Sequence, residues 1–301
     1  REWERIFLIT FPIILVGFMF AVWVLPKDQV IERKNVRLQD LLDVPGIMLF
    51  TTVIVSGLLF LISLTDDVIW WAGVLTILSL WLFIRYEKRV PQPFIDLKLF
   101  QEQATVRWVN IQFITVNIIF YSSYFGFPIY FQELRGLGPQ AAGLLLISVA
   151  GVSVVITPFA GRWIERSGSR PALMFSALFL IAGSILLITW GTNTPIPWLI
   201  FVLILFGIST AFNTVGLQNA LFENTPASVI GTVSGLFMTA RYMGTILSTL
   251  LLALLYGNET QIGHFKYLSF ALSLLSVFIL WMSYRLPKKK DAVVSRRVSM
   301  R

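Results

Sequence analysis

The chain has 301 residues, of which 56% are hydrophobic and 13% charged, and its mean hydropathy is +0.76. Soluble domains carry about 25% charged residues, so this composition excludes a disordered or fibrous chain and argues against a water-soluble enzyme. There is no cysteine and one histidine, His264, so neither a disulfide nor a His/Cys metal site can be assembled, and no cofactor is expected. A net charge of +8 would suggest nucleic acid in a soluble protein. In a chain this apolar, the first test is whether the basic residues gather on one side of a membrane.

A helix crosses the ~30 Å hydrocarbon core with about 20 apolar residues. Nine segments qualify in chain order: 6–25, 46–64, 68–84, 108–131, 141–160, 172–190, 197–221, 230–256 and 267–285. Charged or turn-forming stretches separate them. Pro26 to Asp43 is a charged linker, and Arg85 to Arg107 holds Pro91 and Pro93, which do not continue a helix. Gly136-Leu137-Gly138-Pro139 and Thr192-Asn193-Thr194-Pro195 are turn clusters. The first span ends in Trp23-Val24-Leu25-Pro26-Lys27 without a small-residue cleavage site, so it is expected to stay as a helix.

Alternating spans sort the connections into two sets. The set containing 26–45, 85–107, 161–171, 222–229 and the tail from Arg285 holds 19 of the 24 Lys and Arg residues. The opposite set holds 4, and Arg241 lies within a span. The positive-inside rule places the basic set in the cytoplasm. Topology thus accounts for the charge, and no nucleic-acid partner is expected. The ten Trp residues fall at or near span ends, as an interfacial belt requires. The tail bases Lys288-Lys289-Lys290 and Arg296-Arg297 either contact anionic lipid or only fix topology.

All sixteen acidic residues lie in loops or terminal turns, so no span offers a mid-membrane carboxylate as a proton carrier. Polar residues do occur within spans. Asn117 and Asn213 serve either interhelical hydrogen bonds or the lining of a cavity. Arg241 stands twelve residues into its span, about 16–18 Å from the cytoplasmic end. A lone arginine at that depth costs about 2.5–3.5 kcal/mol. It must face the bundle or a wet cavity, where carbonyls, Asn or Tyr accept its hydrogen bonds, as a structural clamp or as a coupling or substrate contact. Gly231/Gly235 and Ala240/Gly244/Ser248, at four-residue steps, let the eighth span approach a neighbour closely. No P-loop, G-x-S-x-G or H-E-x-x-H motif is present.

The most specific segment is Gly161-Arg162-Trp163-Ile164-Glu165-Arg166-Ser167-Gly168-Ser169-Arg170-Pro171, expected as a cytoplasmic loop between the fifth and sixth spans. Its glycines permit a tight turn, Pro171 suits a first helical turn, and Arg162, Arg166 and Arg170 recur every four residues. This segment resembles the signature of the major facilitator superfamily, roughly G-x-L-x-D-R-x-G-R-R. Gly161, Arg166, Gly168 and Arg170 match it, Glu165 takes the acid position, and Trp163 and Ser169 depart from it. Trp3-Glu4-Arg5-Ile6-Phe7 with Pro12, Pro128-Ile129-Tyr130-Phe131-Gln132, and Thr239-Ala240-Arg241-Tyr242-Met243-Gly244 are similar to the fourteen-helix drug:proton antiporter branch.

The resemblance implies an all-α integral membrane protein holding helices six to fourteen of that branch, an incomplete facilitator fold with a complete C-terminal six-helix bundle. Residues 1–25 would be the last helix of an N-terminal bundle whose other helices precede residue 1. Linkers 26–45 and 87–107 would flank a two-helix insert, 46–86; the six-helix bundle would be 108–286 and a basic tail 287–301. It further implies a plasma-membrane transporter, with the bilayer, a small amphipathic substrate and protons as partners. The alternatives are a truncated inactive or scaffold-type membrane protein and, less well supported, a membrane-embedded enzyme.

Overall fold

A computed structural model describes residues 3–24, 43–64, 67–90, 104–223, 225, 230–256 and 262–286. The linker 26–42, most of 87–107, the tail 287–301 and the side chains of the Trp3–Thr10 stretch lie outside the described residues. Arg1–Leu42 and Asp43–Arg301 form two compact units. The first contributes α1, Trp3–Val24.

The second unit begins with a helical hairpin, α2 (Val44–Ser63) and α3 (Trp70–Glu87). Asp43 starts α2 by accepting the Gly46 N–H at 3.0 Å, and it also accepts the Tyr86 hydroxyl at 2.8 Å from the far end of α3. Mid-hairpin, the Thr76 hydroxyl donates to Ser56 at 2.9 Å. The remaining elements are α4 (Ala104–Ile129), a π turn (Tyr130–Leu134), α5 (Pro139–Ser167), α6 (Ser169–Leu187), α7 (Ile196–Glu223), α8 (Ile230–Tyr256) and α9 (Ile262–Arg285).

Among the described residues, nine α-helices therefore stand where nine spans were expected, and there is no strand. Seven of the helices, α2 and α4 to α9, are long and apolar enough to cross a membrane. α3 falls short because its 18 residues include three Trp together with Arg85 and Glu87. In α1 the apolar stretch described is Ile14–Val24. Outward-facing residues such as Phe159, Phe270 and Leu274 are apolar and exposed, as a lipid-facing surface requires.

Helices α4 to α9 form a six-helix bundle. Its most extensive contacts pair α5 with α7 and α4 with α8, followed by α6 with α7 and with α9. Mapping α4–α6 onto α7–α9 turns the α4/α8 pair into the α7/α5 pair and leaves α6/α9 unchanged. Because spans alternate, α4 and α7 run in opposite directions, which makes the bundle an inverted three-plus-three repeat. Each tight pair has a glycine at its closest approach. A Cβ on Gly244 of α8 would stand 2.7 Å from the Ile114 carbonyl of α4, and one on Gly207 of α7 would stand 2.7 Å from the Val149 carbonyl of α5. Only a residue without a side chain fits there.

The end assigned to the outside is closed by packed rings. Tyr130 and Phe265 stack at 4.7 Å, and Trp190 lies parallel to Phe265 at 5.7 Å. The Tyr130 hydroxyl donates to the Gly191 carbonyl at 2.7 Å, and Arg135 donates to the Thr194 carbonyl, which ties this end to the turn before α7. α5 starts at Gly138-Pro139, with proline in the first turn where its missing N–H costs nothing.

Candidate functional site

Helix α4 carries Phe113, Asn117, Phe120, Tyr121, Tyr124 and Phe127 at three- and four-residue steps, which puts them on one side of the helix. That side borders a cavity of about 660 Å³ walled by α4, α5, α7 and α8. α5 adds Leu146, Val149, Ala150, Ser153 and Val154; α7 adds Phe206, Thr210, Asn213 and Thr214; α8 adds Arg241. The wall is mainly aromatic and aliphatic, with hydroxyl and amide groups set into it. Among the described residues that line the cavity, Arg241 is the sole charged group, and no carboxylate is present.

The α4/α8 seam holds Arg241 in place. Phe113 and Phe237 stack face to face at 3.7 Å. Next along the seam, Asn117 meets Gly244, where a Cβ would come within 2.6 Å of the Asn117 Cβ. Arg241 lies one turn from Gly244, and its Nε and one terminal nitrogen donate to the Tyr121 hydroxyl at 3.2 and 3.0 Å. A phenol thus accepts the hydrogen bonds of this cavity-facing arginine, one of the acceptor types expected from sequence.

The two asparagines do structural work at the edge of the cavity. Asn117 donates to the Phe113 carbonyl at 2.7 Å within its own helix. Asn213 donates to Ser176 of α6 and to the Ser209 hydroxyl and carbonyl, the latter two at 3.1 Å. The Ser176 hydroxyl also donates to the Ser209 carbonyl at 3.0 Å. The Asn213 Oδ1 is buried without a partner among the described residues. Both residues line the cavity as well; Asn213 also bonds between helices, whereas the Asn117 bond stays within α4.

The segment 161–171 is not the loop expected. Gly161 to Ser167 complete α5, and Ser169 already begins α6. Gly168 alone makes the turn, with φ 86° and ψ 167°, a backbone region confined to glycine. Its N–H closes α5 on the Ile164 carbonyl at 2.8 Å. Both helices extend past the apolar stretch because charged residues pay no desolvation cost at the interface. Arg162, Glu165 and Arg166 are exposed on the last turns of α5. Arg170 lies over the Tyr284 ring of α9 at 4.8 Å, and Ser169 accepts a hydrogen bond from Asn219 of α7 at 2.9 Å. Trp163 packs on Phe175 and Phe212 at 4.8 and 5.3 Å. The motif therefore fastens the α5/α6 junction to α7 and α9.

The structure separates the three glycines of α8. Gly244 packs against α4, whereas nothing among the described residues lies within 4 Å of a Cβ built on Gly231 or Gly235. Sequence reading missed the aromatic wall and Gly207. The spacing from Phe113 to Phe127 was the available signal for the wall.

A helical bundle with an inverted internal repeat and a cavity between its helices is the build of a membrane transporter. Residues 2–249 match the model of the Major Facilitator Superfamily, and the chain belongs to that superfamily of transporters rather than to an enzyme family. Over 266 residues it is 37% identical to the MFS-type transporter YwoD of Bacillus subtilis, covering 87% of this chain and 58% of that protein. It is 21% identical over 291 residues to the multidrug efflux pump SdrM of Staphylococcus aureus, covering 94% and 62%. It is also 24% identical over 254 residues to the riboflavin transporter RibZ of Clostridioides difficile, covering 82% and 53%. The chain spans somewhat more than half the length of these relatives.

Proposed function

We propose that the whole protein exports small amphipathic molecules across the plasma membrane in exchange for protons, by alternating access. The carrying observation is the cavity of about 660 Å³ walled by aromatic side chains of α4 and by α5, α7 and α8. Apolar walls bind by burial, at about 25 cal/mol per Å², and accept many shapes. Relatives described as a multidrug efflux pump and as a tetracenomycin C resistance and export protein favour the same reading. Since no described lining residue is a carboxylate, the proton in such an exchange is carried outside this cavity wall.

Everted membrane vesicles containing the full-length protein test the proposal. An acidic lumen should drive accumulation of rhodamine 6G, fluorescein or Nile red, and a protonophore should abolish it. Filling the cavity with Ser153→Trp should also abolish it while leaving the protein in the membrane. Accumulation unaffected by that substitution would remove the cavity from the pathway. No pH-driven accumulation of any of the three dyes would refute the exchange mechanism.

A further inference from the structure

We infer that this cavity selects planar aromatic ligands bearing a carboxylate or comparable anionic group, which the Arg241 guanidinium binds. The inference rests on the reading of the cavity as a substrate site and narrows its ligand class. Three observations carry it.

The first is charge. Arg241 is the sole charged group among the described lining residues. A guanidinium stays charged in proteins, and a cavity with low-dielectric walls strengthens its field. A cation entering would be repelled with no carboxylate in this wall to offset it, whereas an anion would be attracted.

The second is how the guanidinium is held. Its Nε and one terminal nitrogen converge on a single acceptor, the Tyr121 hydroxyl. No other hydrogen bond engages its guanidinium among the described residues, and the side chain is exposed to the cavity space it lines. Tyr121 is neutral, so no described lining residue balances the positive charge. The phenol orients a fork whose remaining N–H donors match a carboxylate in the bidentate geometry that arginine favours. A guanidinium serving only as a helix clamp would use up more of its donors on carbonyls or an acid.

The third is shape. Phe120 and Tyr124 supply accessible ring surface around the same cavity, backed by the buried Phe127 and Phe206. Flat aromatic ligands stack on such faces, and Arg241 then receives the acidic substituent. Ligand charge and ring thus meet different parts of one wall.

The test uses two dyes with the same xanthene ring system and opposite charge, fluorescein and rhodamine 6G. Binding to the purified full-length protein in detergent is read by fluorescence anisotropy at neutral pH. Fluorescein should bind about tenfold more tightly than rhodamine 6G, and its affinity should fall as salt rises. Arg241→Gln should weaken fluorescein about tenfold and leave rhodamine 6G unchanged or tighter, while Arg241→Lys keeps part of the preference. Elution of each variant at the wild-type position in size-exclusion chromatography checks its fold. If Arg241→Gln does not fold, the wild-type salt dependence and Tyr121→Phe decide, since that variant keeps the charge but loses the phenol that orients the fork and should weaken fluorescein several-fold while leaving rhodamine 6G unchanged. Equal affinities, a rhodamine 6G preference, or unchanged fluorescein binding in folded Arg241→Gln would overturn the inference alone. Binding of neither dye to the wild-type protein would overturn it together with the cavity's role as a substrate site.

Discussion

Replacing Gly244 by alanine tests the α4/α8 seam and the arginine beside it together. The added Cβ would stand 2.6 Å from the Asn117 Cβ and 2.7 Å from the Ile114 carbonyl oxygen. Carbon contacts are comfortable at about 3.5–4.0 Å, so α8 must retreat from α4 by about 1 Å. Neither obstructing atom is the end of a flexible side chain, so the helices themselves must shift. Overpacking of this kind costs about 1–3 kcal/mol, and the better helix propensity of alanine returns about 1 kcal/mol. The expected net loss is on the order of 1 kcal/mol, a drop of a few degrees in the thermal midpoint in detergent. The same shift would stretch the 3.0 and 3.2 Å hydrogen bonds between Arg241 and Tyr121 beyond useful range. Dye binding should therefore weaken by more than the stability change implies. Gly235→Ala is the control, because nothing described lies within 4 Å of its Cβ position, and it should match or exceed the wild type in stability. Equal midpoints and equal dye binding for the two variants would refute the close-packed seam.

Gly168→Ala places a side chain at φ 86° and ψ 167° and should cost about 1–3 kcal/mol, seen as a lower thermal midpoint; an unchanged midpoint would mean that the α5/α6 turn is made differently. A double-mutant cycle between Asn213→Ala and Ser176→Ala should give a coupling of about 0.6–2 kcal/mol, and no coupling would show that the amide does not join α6 to α7. Cysteines introduced at the exposed Ser167 and Thr192 should label from the cytoplasmic and outer sides respectively, and labelling of both from one side would overturn the topology. Gly207→Ala, 2.7 Å from the Val149 carbonyl, should lower the thermal midpoint as Gly244→Ala does, and an unchanged midpoint would contradict the α5/α7 approach.

The helices were legible because a 20-residue apolar run has few alternatives in a chain with so few charges. Their ends were less so. Residues 161–167 read as a loop because hydropathy marks where the apolar stretch ends, not where backbone hydrogen bonding ends, and α5 continues to Ser167. The single-residue turn at Gly168 depends on a positive φ that the sequence only permits. The cavity wall was hidden because phenylalanine suits lipid and cavity alike. Phe270 faces outward from α9, while Phe120 lines the cavity, and both read the same. Arg241 was legible as a residue needing a polar partner, since its depth made exposure to lipid too costly. That the partner is Tyr121 required the crossing of α4 and α8. The glycines of α8 show the limit of spacing alone. Gly235 and Gly244 are nine residues apart, which is about half a turn off register on an α-helix. One therefore meets α4, and the other does not.

The central claim, that substrate occupies the space between α4, α5, α7 and α8, is tested most directly by cysteine protection. On a cysteine-free background of the full-length protein, Ala150→Cys places a thiol in the cavity wall and Val277→Cys places one on the exposed apolar face of α9. The account predicts that a membrane-impermeant, water-soluble maleimide labels position 150 and that saturating fluorescein or rhodamine 6G slows this labelling several-fold, while position 277 shows no dye effect. Labelling at position 150 that neither dye slows, in a protein that transports them, would place the substrate elsewhere and contradict the account.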